Sequence, residues 1–200
     1  VVSPLKALQR LAERHREAFD IPVVGITGSN GKTVVKEWLY QLLSPEKNVT
    51  RSPRSYNSQI GVPLSVWNLD ERSEVGLFEA GISEPGEMEA LQSVIQPTIG
   101  VFTCLGDAHQ ENFTSYEQKC LEKLKLFKDA KVLVYDMDDA RVVGCVNRSA
   151  FKGEYFAWSR QRRDVPLYIA SVEKREAETV VSYIYKGKEA ACSIPFIDEA

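Results

Sequence analysis

The sequence predicts an α/β fold: a P-loop-type, mostly parallel sheet with helices on both faces, plus a C-terminal antiparallel β extension. Three observations lead there. Strand-like and helix-like stretches alternate through the first two-thirds of the chain, the pattern of a parallel sheet covered on both sides. A glycine-rich turn, "GSNGKT" at residues 28–33, joins a β-branched run to a helical one. After about residue 150 the helical patterning gives way to "EYFAWS", "PLYIASVE", "TVVSYIYKG" and "EAACSIPF", which read as strands with a Lys-Gly turn at 186–187. The 200 residues suffice for one such domain with a full core. They divide into an α/β core, 1–150, and a β-rich extension, 151–200.

The elements follow in order. Ser3 and Pro4 make a fitting N-cap and first helical position, and Leu5, Leu8, Leu11 and Ala12 recur at helical spacing behind them. His15 on that helix reads as an exposed or partly packed side chain. "PVVGIT" is a buried strand. Thr33 to Leu43 is a helix with Val34, Val35, Trp38, Leu39 and Leu42 as its apolar face, ended by Ser44-Pro45. "TRSPRSYNSQ" is polar loop, and a helix is expected from Ile60. "VGLFEA" is a short strand ending in Glu79, "EPGEMEALQSVI" a helix, and "TIGVFTC" a strand that runs into the loop "LGDAHQENFT". "SYEQKCLEKLKLF" is an amphipathic helix and "KVLVYD" another strand. The basic run "SRQRRD" reads as a solvated loop.

Composition excludes several classes. A formal net charge of -3 gives no reason to expect nucleic acid. No apolar run is long enough to span a bilayer, and no secretory signal is present in the sequence. Cys104, Cys120, Cys145 and Cys192 show neither C-x-x-C spacing nor a disulfide framework, which fits a reducing compartment, and each reads as a small buried hydrophobe. The chain opens at "VVSPLKAL" without a methionine and closes at "SIPFIDEA", and is read as a piece of a longer protein.

The turn at 28–33 carries the first chemistry. A helix N-terminus offers unpartnered N–H groups and partial positive charge, and glycines let that backbone close around an anion. A lysine adds mobile charge, and a Ser/Thr hydroxyl can sit on Mg²⁺. Gly28, Ser29, Asn30, Gly31, Lys32 and Thr33 are therefore the candidate phosphate and magnesium groups. The general P-loop would have a glycine where Ile26 stands, so the motif says phosphate more strongly than it says ordinary P-loop NTPase. Ligands of open α/β sheets bind at the carboxyl ends of the strands. Glu79 closes one strand and His109 follows another, so a carboxylate and an imidazole reach the same edge as the phosphate loop. The base-reading and switch motifs of GTP-binding proteins are absent from the sequence, as is a dinucleotide Gly-x-Gly-x-x-Gly.

Taken together, "TGSNGKT", "YNSQIGVP", "FEAG", "DAH" and "EKLKLF" resemble the central ATP-binding domain of the Mur ligases, in order, over residues 5–140 and more loosely to 196. "NSQIGVP" and "DAHQENF" favour the branch that adds D-alanyl-D-alanine to UDP-N-acetylmuramoyl-tripeptide. The resemblance implies a bacterial cytoplasmic enzyme of peptidoglycan synthesis that uses ATP and Mg²⁺ and proceeds through an acyl phosphate, with no nucleic-acid or membrane partner. It implies that Lys32 contacts the terminal phosphates, that Thr33 and Glu79 hold one Mg²⁺, that His109 lies near a second, and that Asn57 sits near the phosphates. Lys123 matches a lysine that is carbamylated in many family members and so becomes a metal ligand, although Lys125, where relatives often carry Glu, is a neighbouring choice. Cys104 and Arg54-Ser55 also depart from the family pattern. A folylpolyglutamate synthetase-like ligase and a nucleotide-binding module without catalysis are the alternatives. The flanking domains of such a ligase would grip the UDP-sugar and bring the amine, so the chain alone is expected to be inactive.

Overall fold

The computed structural model describes residues 3–107 and 110–195. Among these, nine strands form one sheet in the order β2-β3-β1-β4-β5-β6-β7-β8-β9. The strands are β1 Val23–Thr27, β2 Val49–Arg51, β3 Val75–Glu79, β4 Ile99–Phe102, β5 Val132–Asp136, β6 Glu154–Ser159, β7 Leu167–Lys174, β8 Thr179–Tyr185 and β9 Lys188–Ile194. The helices are α1 Pro4–Arg16, α2 Lys32–Leu43, α3 Gly61–Val66, α4 Glu87–Ile95, α5 Tyr116–Leu124 and α6 Ala140–Arg148. Short 3-10 turns occupy Gln110–Asn112 and Lys125–Phe127.

Alternation along the strands sorts the core into two layers. Val24, Ile26 and Leu77 meet Val35, Leu39, Tyr40 and Leu43 of α2. Val23, Phe78, Phe102 and Leu133 belong to the larger cluster, with Ala12, Val62, Val66, Met88, Leu91, Leu124 and Val146 of the remaining helices. Both faces are covered, but unequally. β1 is central and buried throughout, because it pairs in parallel with β3 on one side and β4 on the other. Ile26 stands in register with Glu79, so Glu79 projects toward the α2 layer at the carboxyl end of the sheet.

Four differences from the sequence reading have local causes. β2 lies in the stretch read as loop; at three residues it is too short to show alternation. α6 was not anticipated, because Val142, Val143 and Val146 are poor helix formers. It forms because Asp139 accepts from the Arg141 and Val142 N–H groups, and because Val142, Cys145 and Val146 bury one face. α6 is also a crossover between β5 and β6, which makes β6 parallel to β5 rather than the start of the antiparallel part. β7 joins β6 in parallel through Trp158–Leu167 and Ser159–Tyr168, and only β7–β8–β9 run antiparallel. Finally, Cys120 and Cys145 are buried, but Cys104 and Cys192 are exposed and do not serve as core hydrophobes. His15 is structural: its ring stacks on Trp67 at 4.6 Å and a ring nitrogen lies 2.9 Å from the Leu69 carbonyl.

Candidate active site

The loop after β1 is clasped by the loop after β4. Ser29 N–H donates to the Cys104 carbonyl at 2.9 Å, and the Ser29 hydroxyl donates to the Gly106 carbonyl at 3.1 Å. Gly28 has φ +149°, and a Cβ there would stand 2.0 Å from Thr103 Oγ1, so a side chain has no room. Gly31, at φ 79°, is the N-cap of α2 and gives that helix no side-chain cap. The first N–H groups of α2 therefore face the loop unclaimed by a capping side chain, as an anion site requires. Lys32 Nζ folds over the loop and donates to the Gly28 carbonyl at 3.0 Å and the Ser29 carbonyl at 3.2 Å. Burial lowers its pKa, and the nearby Glu79 charge opposes that shift.

One turn of α2 aims two groups at Glu79. Thr33 donates its hydroxyl proton to Glu79 Oε2 at 2.9 Å, and Lys36 donates to Oε1 at 2.9 Å. Asn57 reaches toward the same carboxylate, its Nδ2 lying 3.5 Å from Oε2. The Asn57 carbonyl accepts from Gly81 N–H at 2.7 Å, which ties the loop before α3 to the end of β3. Glu79 is fully buried. A hydroxyl and a carboxylate oxygen this close form a hard-donor pair that fits Mg²⁺, which binds through one or two carboxylates and takes phosphate and water for its other positions. Among the described residues no group of three or more His, Cys, Asp or Glu is placed to hold a metal ion.

A polar cavity of about 110 Å³ opens between these parts, and Ser29, Lys32, Asn57, Gly81 and Lys123 line it. Lys123 comes from α5 and is 3% exposed. Burial first, then the cations Lys32 and Lys119, lower its pKa to about 8. Lys125, the neighbouring choice, belongs elsewhere: it pairs with Glu89 at 3.1 Å and Glu122 at 2.9 Å on the helix surface. Lys119 is buried below the loop after β4 and donates to the Gly106 carbonyl.

The structure thus brings together Gly28, Ser29, Gly31, Lys32, Thr33, Asn57, Glu79 and Lys123. Asn30 lies at the mouth of the loop, exposed, its carbonyl accepting from Thr103 Oγ1. His109 lies outside the described residues. Sequence reading missed Lys36 and Lys119. Each sits on a helix among apolar positions, and a lysine there ordinarily reads as a snorkelling surface residue.

A family model described as the Mur ligase middle domain matches residues 26–199. The UDP-N-acetylmuramoyl-tripeptide--D-alanyl-D-alanine ligase of Bacillus subtilis (strain 168) is 33% identical over 138 residues, 68% of this chain and 30% of that protein. The MurF ligase of Thermotoga maritima, solved in complex with ADP, superposes with a TM-score of 0.84 at 27% identity, covering 96% of this chain and 45% of that one. MurF from Acinetobacter baumannii gives a TM-score of 0.88 at 20% identity over 98% of this chain and 44% of that chain, a likeness of fold. The chain spans less than half the length of each of these relatives.

Proposed function

The chain belongs to the family of Mur ligase middle domains, and from that membership and the geometry of its site we propose that it is the nucleotide-binding domain of a peptidoglycan-precursor ligase. The ligase joins D-alanyl-D-alanine to UDP-N-acetylmuramoyl-tripeptide at the expense of ATP, and residues 1–200 form its central domain. The observation that carries this reading is the convergence of Lys32, Thr33, Glu79, Asn57 and Lys123 on one polar edge beside a helix N-terminus without a side-chain cap.

In the proposed reaction a carboxylate oxygen of the tripeptide takes the γ-phosphoryl group of ATP, giving an acyl phosphate and ADP. The amine of D-alanyl-D-alanine then attacks the acyl carbon, the C–O bond to phosphate breaks, and the amine loses a proton. Positioning and charge neutralisation supply most of the rate in phosphoryl transfer. The α2 N–H groups and Lys32 cradle the phosphates. Thr33 and Glu79 would hold Mg²⁺, which neutralises phosphate charge when bound. Asn57 would complete the cradle. Lys123, with a pKa of about 8, is about one-tenth neutral at pH 7; that amine can add CO₂ with loss of one proton to give a carbamate, which would serve as a further metal ligand. His109 keeps the role beside a second Mg²⁺ that the resemblance implies. A module that only stored nucleotide would need no second metal site, so a buried Lys123 beside the phosphate loop favours catalysis.

The test is phosphate release by the intact protein with ATP and both substrates. Release that requires all three, with formation of the pentapeptide product, is the expected result. Release that ignores D-alanyl-D-alanine, or depends on a folate substrate instead, would replace this reading with another.

A further inference from the structure

Lys36 is the least expected residue of the site. It stands three positions after Thr33, so the two side chains leave α2 on one face. Its side chain is wholly buried, and each ammonium proton has an acceptor. These are the Ser52 carbonyl at 2.7 Å, the Arg54 carbonyl, and Glu79 Oε1 at 2.9 Å. Glu37 Oε1 lies 3.2 Å away on the solvent side. A buried ion pair of this kind contributes little net stability compared with apolar packing. Yet Lys36 grips one oxygen of Glu79 while Thr33 holds the other.

We propose that Lys36 is a positioning residue for the divalent cation. By fixing Oε1 it turns Oε2 toward Thr33 and the phosphate loop. By binding the carbonyls of Ser52 and Arg54 it sets the segment that delivers Asn57. One ammonium therefore links the carboxylate to the asparagine that faces it. The inference rests on the proposed function, since the cation is the one that reading places at Thr33 and Glu79. The opposing effect is electrostatic: a positive charge beside Glu79 repels a divalent ion, so its removal alone would tighten metal binding. Orientation wins here, because Glu79 without Lys36 loses the partner that fixes Oε1, and outer-shell partners of metal ligands govern affinity strongly.

The test uses Mn²⁺ in place of Mg²⁺, followed by electron paramagnetic resonance, with saturating ADP. It compares the unaltered chain, Lys36→Met, Glu79→Gln and the double variant. ADP binding in the presence of a chelator is measured separately by calorimetry. Lys36→Met is expected to weaken Mn²⁺ binding about 10-fold or more, with a smaller change in metal-free ADP affinity, and to add nothing to Glu79→Gln. Unchanged or tighter Mn²⁺ binding in Lys36→Met, or an undiminished effect in the Glu79→Gln background, overturns the proposal. If metal-free ADP does not bind the unaltered chain, the underlying functional reading fails, and this inference with it. Should Lys36→Met not fold, the unaltered chain still decides. The Lys36 ¹⁵Nζ resonance, assigned through its side-chain carbons, should shift when Mg²⁺ is added to the ADP complex. A resonance that ignores the metal contradicts the proposal.

Discussion

Lys123 is a buried amine among other cations, and that setting disfavours its charged form. Its pKa is about 8 in the folded chain and returns toward the ordinary lysine value of 10.5 on unfolding. Between those values the unfolded state binds more protons, so this group makes stability rise as pH rises. Below about pH 8 both states carry the proton and the full penalty of the buried charge remains. The urea midpoint of the unaltered chain should therefore gain on that of Lys123→Met between pH 8 and 10, with Lys123→Met the more stable of the two at pH 7. A difference between the two that does not change with pH would show that Lys123 is not buried as a cation. The same residue shows what sequence could not resolve. Lys123 and Lys125 lie two positions apart on a helix that continues into a 3-10 turn, and periodicity alone does not choose between them. The choice comes from residues distant in sequence: Glu89 draws Lys125 to the surface, while Lys32 flanks Lys123.

At the scale of elements, the phosphate loop is held by its neighbour. Gly28→Ala would set a methyl group against Thr103 Oγ1 at a positive φ. It should destabilise the fold by about 1–3 kcal/mol and weaken ADP binding, because the clasp of Ser29 by Cys104 and Gly106 must open. Denaturant unfolding and calorimetry check both, and a neutral substitution would contradict the packing. Asp139→Ala removes the cap of α6 and should cost about 1 kcal/mol, read as a lower denaturant midpoint. The β1–loop–α2 unit was legible because all its signals are local: β-branched strand, glycines, lysine, amphipathic helix. Glu79 was legible as a strand-end carboxylate, but its face depends on register with Ile26. β2 and α6 were not legible, one being too short and the other rich in valine. The parallel direction of β6 depends on the α6 crossover and could not be read once that helix was missed. Lys36 was hidden because a lysine on a helix looks solvated until the carboxylate and carbonyls that bury it are placed.

At the scale of the whole molecule, the sheet runs unbroken from β2 to β9 among the described residues, and one large apolar cluster backs most of it. The chain should therefore fold alone, with a cooperative thermal transition by circular dichroism. Binding energy from substrate parts remote from the reacting groups is needed to reach near-attack geometry. We accordingly expect the isolated chain to show no ligation under conditions where the intact protein turns over, and comparable turnover by both would place all the machinery within these residues. Every proposed role of the site depends on Lys32 and the N-terminus of α2 binding the phosphates of a nucleotide. Calorimetric titration of the chain with ADP and Mg²⁺, beside Lys32→Ala, tests it most directly. Binding should be saturable, and Lys32→Ala should weaken it by about 1.5–3 kcal/mol, the worth of a charge-assisted contact. Equal affinity in the two proteins, or no binding to either, would contradict it.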